Sequence, residues 1–305
     1  MLFNKPLREH PPFLQLLLLL MLCLMTGGLF AYLAISTAHW LGDYDVTSIL
    51  SGLPSDPATV PLIWYLQGLS ALGAFVVPGL IFAYYWDFEK PFEPLGLDGA
   101  KDPKSYLFTA LVMVSSIPLV YGIYALNQKM TLPAGWENLE ASWKAQEERA
   151  AATIGLLLET PGTLALLLNL LILVLLPAFG EELIFRGLLQ RIFHQASRNH
   201  HLAIWTSAVL FSAIHMQWYG FLPRMMLGAG FGYLVVWSGS LFPAIFGHLL
   251  NNGMALLGEH AAQKEWLPGG EDWLMQLPVW AALVSAVLTA MLMWAYYRLK
   301  PKQAF

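Results

Sequence analysis

Apolar residues run through this chain in long stretches, and polar ones fall mainly between them. The first stretch, 13–36, follows Lys5 and Arg8 and resembles a secretory leader. It is longer than the apolar core of a leader and lacks a convincing cleavage site, so it predicts a first transmembrane helix. Further apolar spans are predicted at about 61–86, 106–126, 163–193, 202–216, 225–237, 241–258 and 278–299. About eight spans predict an all-α, polytopic membrane helix bundle. No internal repeat, low-complexity tract or long linker divides the chain, so 1–305 is read as a single membrane domain.

Between the third and fourth spans the pattern changes. In 136–157, Trp136, Leu139, Trp143, Ala150 and Ile154 recur at helical intervals, with Glu137, Glu140, Lys144, Glu147, Glu148 and Arg149 between them. This predicts a helix lying on a membrane surface, or a solvated connector packed on the bundle. The 217–223 loop and the Trp-rich 266–273 stretch have the character of interfacial anchors.

Composition agrees: of 305 residues 57% are hydrophobic and 12% charged, and the mean hydropathy is +0.56, values that exclude an ordinary soluble globular protein. A net charge of −4 argues against a nucleic-acid partner, and the single cysteine, Cys23, leaves no disulfide or cysteine cluster. Basic residues are unevenly shared between the two sides of an eight-span topology. One side holds 11 (Lys5, Arg8, Lys90, Lys101, Lys104, Arg186, Arg191, Arg198, Arg298, Lys300 and Lys302) and the other 5 (Lys129, Lys144, Arg149, Arg224 and Lys264). The richer side is read as cytoplasmic, which places both termini there.

Ionisable residues interrupt the apolar spans at three places, and such residues at membrane depth are functional candidates by default. The first is Glu181-Glu182-x-x-x-Arg186. On a helix Glu182 and Arg186 stand at i, i+4 and can pair, whereas Glu181 points about 100° away and stays free. The second is Phe211-x-x-x-His215. The third is His248-x-x-x-Asn252, whose two polar residues share a helix face, with Asn251 beside them. At 1.5 Å rise per residue, Glu181 and His215 come level at roughly 18–20 Å from the turn that joins their helices, and His248 and Asn252 lie roughly 12–18 Å from the next turn. Water is then expected to reach them from the cytoplasmic end, past the 191–201 loop and the short 238–240 turn.

Taken singly, these motifs have structural readings: an ion pair that holds two turns together, or a His or Asn bridging helices. Jointly they suggest chemistry. A carboxylate facing two imidazoles and an amide can activate a water and stabilise an oxyanion, which is peptide hydrolysis without a covalent intermediate. The same set offers Glu181, His215 and His248 as three ligands for zinc or another divalent metal. A secondary transporter would also bury such groups, but no pair of broken spans in corresponding halves points to inverted repeats. A non-catalytic membrane scaffold or immunity protein would keep the fold without the chemistry.

The segments 181–187 (E-E-L-I-F-R-G), 211–215 (F-S-A-I-H) and 248–252 (H-L-L-N-N) resemble the three motifs of the CPBP family, the CAAX protease and bacteriocin-processing (Abi) intramembrane proteases, which includes the Ras-converting CAAX endopeptidases. They fall in order within 163–258. The 92–97 stretch before the third span is a faint further likeness. The resemblance implies an intramembrane endopeptidase in which Glu181 activates water with help from His215, His248 and Asn252 stabilise the oxyanion, and Glu182 and Arg186 hold the first motif in place. It implies membrane-anchored protein or peptide substrates in a lipid bilayer. Both glutamate-type and metalloprotease mechanisms are attached to the family. The metal-free one is preferred here, because Asn252 completes a donor pair that three metal ligands would not need. Neither a prenylated CAAX tail nor a bacteriocin leader is inferred as the substrate.

Overall fold

A computed structural model describes residues 5–44, 46, 55–93, 95–97, 102–266, 274 and 276–299. Among these, long helices dominate and no strand occurs. We number them α1 (Pro12–Thr37), α2 (Pro57–Trp86), α3 (Pro103–Asn127), α4 (Glu137–Glu159), α5 (Thr163–Ser197), α6 (His200–Ala213), α7 (Phe221–Ser238), α8 (Phe242–Gln263) and α9 (Val279–Arg298). The all-α membrane bundle expected from the hydrophobic pattern is therefore the observed architecture. By length and composition α1, α2, α3, α5 and α9 are long and apolar enough to cross a membrane on their own. The remaining expected spans are α6, α7 and α8, which are shorter or more polar and carry much of the site.

Contacts order the helices between two ends. At one, Arg8 pairs with Asp87 at 2.5 Å, Gln15 bonds Gln195, and the 238–241 turn meets the turn before α3. At the other, Asn127 at the end of α3 bonds the α6–α7 loop, and α4 enters α5. Among the described residues the chain thus passes between the ends eight times, with α4 outside that count, and its described termini lie at one end, called here the terminal end. Trp266 is 72% exposed, as an interfacial anchor would be. The rest of the expected Trp-rich anchor, up to Trp273, and the 300–305 tail lie outside the described residues.

A single buried cluster draws on every crossing helix, with Leu19, Phe82, Met113, Leu183, Phe211, Phe231, Ile245 and Tyr296 as representatives. Outward faces stay apolar, as on Leu24, Leu107, Leu164 and Val287, which suits a lipid environment. Polar pins join the helices where a side chain can reach a backbone group. Asn169 on α5 accepts from the Trp64 indole at 2.7 Å and donates to the Leu157 carbonyl at 2.9 Å, tying α2 and α4 to α5. Pro118 sits inside α3, where the Leu119 N–H beside it is taken by Ser285 of α9 at 3.0 Å.

Three stretches widen from the usual i→i+4 pattern to i→i+5: Leu72–Val76 in α2, and Leu170–Leu175 and Leu183–Leu189 in α5. Such turns displace carbonyls from their regular partners and recur at functional sites. In α5 neighbouring helices take up two of them: the Ser207 hydroxyl donates to the Phe185 carbonyl at 2.8 Å, and the Asn252 amide to that of Leu173 at 3.4 Å.

Candidate active site

Glu181 and Glu182 lie near the middle of α5, where the second wide turn begins. Glu182 and Arg186 are 0% and 1% exposed, so their charges have only each other and neighbouring dipoles for solvation. Arg186 Nη1 meets Glu182 Oε1 at 2.7 Å, which is the i, i+4 pair expected from the spacing. Its Nη2 donates to the Gly228 carbonyl of α7 at 3.1 Å, and the guanidinium lies over the Phe211 ring, 4.3 Å from its centroid. One turn on, Gln190 donates to the Gly232 carbonyl at 3.3 Å, forming a second rung between α5 and α7. Gly228 is required by the close approach: a Cβ there would stand 2.9 Å from Arg186 Nη2. The G-x-x-x-G spacing of Gly228 and Gly232 is the sequence signal for this contact.

The same Glu182 oxygen accepts from His248 Nδ1 at 2.8 Å. Glu182 therefore does more than pair with Arg186: it fixes the His248 imidazole, a contact 66 residues away in sequence. The other Glu182 oxygen, Oε2, is buried without a hydrogen-bond partner among the described residues. His248 is 4% exposed and is held flat against Phe231, with ring centroids 5.5 Å apart and 14° between planes, while Phe211 meets it edge-on. Its Nε2 faces Glu181 Oε2 at 3.9 Å. This is too long for a direct hydrogen bond, yet close enough for a single water oxygen at ~2.8 Å to touch both.

His215 departs from the sequence expectation. It lies not inside a membrane helix but in the turn just past the end of α6, which stops at Ala213. Ile214 and Met216 continue the apolar run, but Met216 takes a left-handed φ of +53° that no helix sustains. His215 still reaches the cluster, because its ring packs edge-on against Phe211 at 5.3 Å, the residue whose ring also meets His248 and Arg186. Its Nδ1 lies 2.8 Å from the Phe211 carbonyl. A carbonyl can only accept, so Nδ1 carries the proton and Nε2 presents a lone pair.

Asn252 follows His248 by one turn of α8, accepts from Asn251 at 3.2 Å and donates to Leu173 at 3.4 Å. Its amide is thus weakly engaged at the base of the site. Arg224, at the start of α7, was not singled out from the sequence. It donates to Gln217 at 2.6 Å, and its Nη1 is buried without a hydrogen-bond partner among the described residues. Among the described residues no group of three His, Cys, Asp or Glu side chains is gathered closely enough to hold a metal ion. Glu181, His215 and His248 as placed do not form a ligand cage, and no step below is routed through a metal.

The ends of the site are unequal. At the terminal end the 92–97 turn packs into the 238–241 turn: Leu241 N–H and the Ser240 hydroxyl both bond the Gly96 carbonyl, and Leu95 is fully buried. Gly96 has φ +70°, and a Cβ on it would strike the Gly239 carbonyl at 2.8 Å. A cavity of about 20 Å³ lies there beside Arg186 and His194. At the other end a polar cavity of about 430 Å³, lined by Tyr124, Lys144, Glu147 and Tyr219, adjoins the loop that carries His215. Where an opening past the 191–201 loop and the 238–240 turn was expected, the 92–97 turn packs against the 238–241 turn, and the larger polar cavity lies at the opposite end.

Residues 163–254 match the family model described as type II CAAX prenyl endopeptidase, Rce1-like. The uncharacterized protein YpbD of Bacillus subtilis (strain 168) is 30% identical over 86 residues, which span 27% of this chain and 41% of that protein. The matched stretch thus covers less than half of the curated relative. No solved structure matches the chain. The 163–254 segment, which carries all three polar motifs, is thus similar to the Rce1-like type II CAAX prenyl endopeptidases.

Proposed function

We propose that this chain is an intramembrane endopeptidase of the CAAX-processing type, which hydrolyses a peptide bond of a membrane-anchored protein or peptide. The observation that carries the reading is the convergence of Glu181, Glu182, Arg186 and His248 inside an apolar bundle, within the segment that matches an endopeptidase family. Charged groups so placed are costly to bury and mark binding or chemistry by default.

In this reading Glu181 takes a proton from a water held between its carboxylate and His248, and the water oxygen bonds to the scissile carbonyl carbon. The Nε2 lone pair of His215 accepts the water's second hydrogen and aligns it. The carbonyl π electrons move onto oxygen, and the resulting oxyanion accepts hydrogen bonds from the Asn252 amide and from His248 Nε2 as an imidazolium. As the C–N bond breaks, the nitrogen takes the proton that Glu181 accepted and the water's second hydrogen stays on the acyl oxygen, leaving an amine and a carboxylic acid that ionises to solvent. Glu182 and Arg186 touch no reacting atom. They set the orientation of His248.

Glu181→Gln is expected to lower turnover by about 10²–10⁴-fold, the range for loss of a general base. The assay uses purified protein in vesicles with prenylated and unprenylated carboxy-terminal peptides, and repeats the wild-type measurement after dialysis against a strong chelator. Near-normal cleavage by the Glu181→Gln protein would refute the assignment of Glu181. Loss of wild-type activity on chelation, restored specifically by zinc, would replace the metal-free mechanism with a metal-dependent one.

A further inference from the structure

His215 owes its place to a loop rather than to a helix, and that loop is held from outside by four successive residues. Gln217 accepts from Arg224 at 2.6 Å. The Trp218 carbonyl accepts from Asn127 at 2.9 Å, and its indole stacks on Trp143 with centroids 5.3 Å apart and 16° between planes. The Tyr219 hydroxyl donates to Glu140 at 3.3 Å, and the Gly220 N–H donates to Glu147 at 2.9 Å. The Ser212 hydroxyl closes the loop on itself by donating to the Phe221 carbonyl at 2.7 Å.

Three of these tethers come from α4. Glu140, Trp143 and Glu147 stand at i, i+3 and i+7, on one face of that helix. Lys144, on the same face, pairs with Glu140 at 3.1 Å and lies 5.6 Å from the centre of the Tyr219 ring. A helix whose only task was to float on a membrane surface would turn an apolar face to lipid and leave its carboxylates in water. Here two of its carboxylates, Glu140 and Glu147, take a hydroxyl and a backbone donor of one short loop. α4 also precedes 163–254, so its half of this contact lies outside the segment that matches the endopeptidase family, while the loop lies within it.

We infer that α4 is a positioning element for His215, and that Glu147 is its principal positioning residue, because it takes a main-chain N–H in the loop and so fixes the backbone rather than a side chain. The inference rests on the proposed role of His215. Small displacements of a reacting group cost much: about 1 Å can lower rate 10²-fold. Loosening the loop should therefore reduce kcat while leaving KM nearly unchanged.

The test is Glu147→Ala beside Glu147→Gln, with kcat and KM measured in vesicles and hydrogen exchange followed in peptides covering 214–222. Glu147→Ala is expected to speed exchange in the loop and lower kcat by about 10- to 100-fold. Glu147→Gln keeps an oxygen that can accept from Gly220 and should recover most of both. Unchanged exchange and kcat in Glu147→Ala would overturn the inference. Faster exchange with unchanged kcat would do so too, because the loop would then not position a working residue. If Glu147→Ala does not fold, Trp143→Phe and Glu140→Gln, which weaken the other two tethers, take its place with the same readouts. Failure of the proposed function is seen separately, as a Glu181→Gln protein that still cleaves; in that case faster exchange supports the tether and unchanged exchange refutes it.

Discussion

Glu182 carries two loads at once: one oxygen takes both the Arg186 guanidinium and the His248 imidazole, and its companion oxygen has no partner among the described residues. Removing one member of a buried pair leaves an uncompensated charge and costs about 3–5 kcal/mol, whereas replacing both with well-packed apolar residues is often neutral or stabilising. Arg186→Met alone should therefore lower the thermal unfolding temperature in micelles, and Glu182→Leu with Arg186→Met should restore much of it. The restored protein should still fail to cleave, because His248 would have lost the acceptor for Nδ1. Recovery of both stability and activity in the double variant would remove Glu182 from the orienting role proposed for it.

The pairing of Glu182 with Arg186 could be read from the chain because it is local, a matter of 3.6 residues per turn. The contact of Glu182 with His248 could not, since α5 and α8 are brought together by packing that no single segment encodes. His215 shows the opposite difficulty. The apolar run through Ile214 and Met216 reads as helix, and only the left-handed Met216 and the tethers from 217 onwards reveal a turn. Gly228 and Gly232 did carry a signal, the spacing of a close helix contact, and it matches the two side-chain rungs from α5.

Among whole elements, α4 bears out the helix expected from the spacing of Trp136, Leu139 and Trp143, and its polar face is partly used within the protein. The Leu132 N–H, followed by Lys144, holds the Glu140 carboxyl below the usual carboxylate range; donation from the Gly135 N–H does the same for Glu137. A depressed folded-state pKa stabilises above the unfolded value and loses that contribution as pH falls through the folded one. The start of α4 should therefore be intact at neutral pH and loosen once pH drops below about 4. Hydrogen exchange of 130–141, corrected for the intrinsic rate at each pH, should show this transition, and Glu140→Gln should blunt it. A flat profile down to about pH 3 would show that these carboxylates do not anchor the helix.

For the whole molecule, the structure bears on sidedness by removing one charge from the count. Arg186 is held inside the bundle by Glu182 and belongs to neither face, whereas Arg224 stays at the end of the α6–α7 loop with Gln217. The terminal end stays the richer in Lys and Arg, and we propose that it faces the cytoplasm. Ser240 is buried against Gly96 and is unsuited to labelling, whereas Asn199 and Ala145 are exposed at opposite ends. With Cys23 replaced, Asn199→Cys should react with a membrane-impermeant thiol reagent only from the cytoplasmic side, and Ala145→Cys only from the other. The reverse pattern would invert the orientation, and with it the side on which the 430 Å³ cavity opens.

The turn at 92–97, wedged into the hairpin between α7 and α8 by way of Gly96, bears on how this catalyst could be borrowed. A graft of 163–254 into a foreign bundle would carry every acid, base and amide of the proposed reaction, yet it would leave behind both the stopper at one mouth and the brace at the other. The recipient would inherit reagents without a vessel. Modularity in this protein therefore ends above the level of its motifs, and a transplant that works should have to bring α4 and the 92–97 turn along with them.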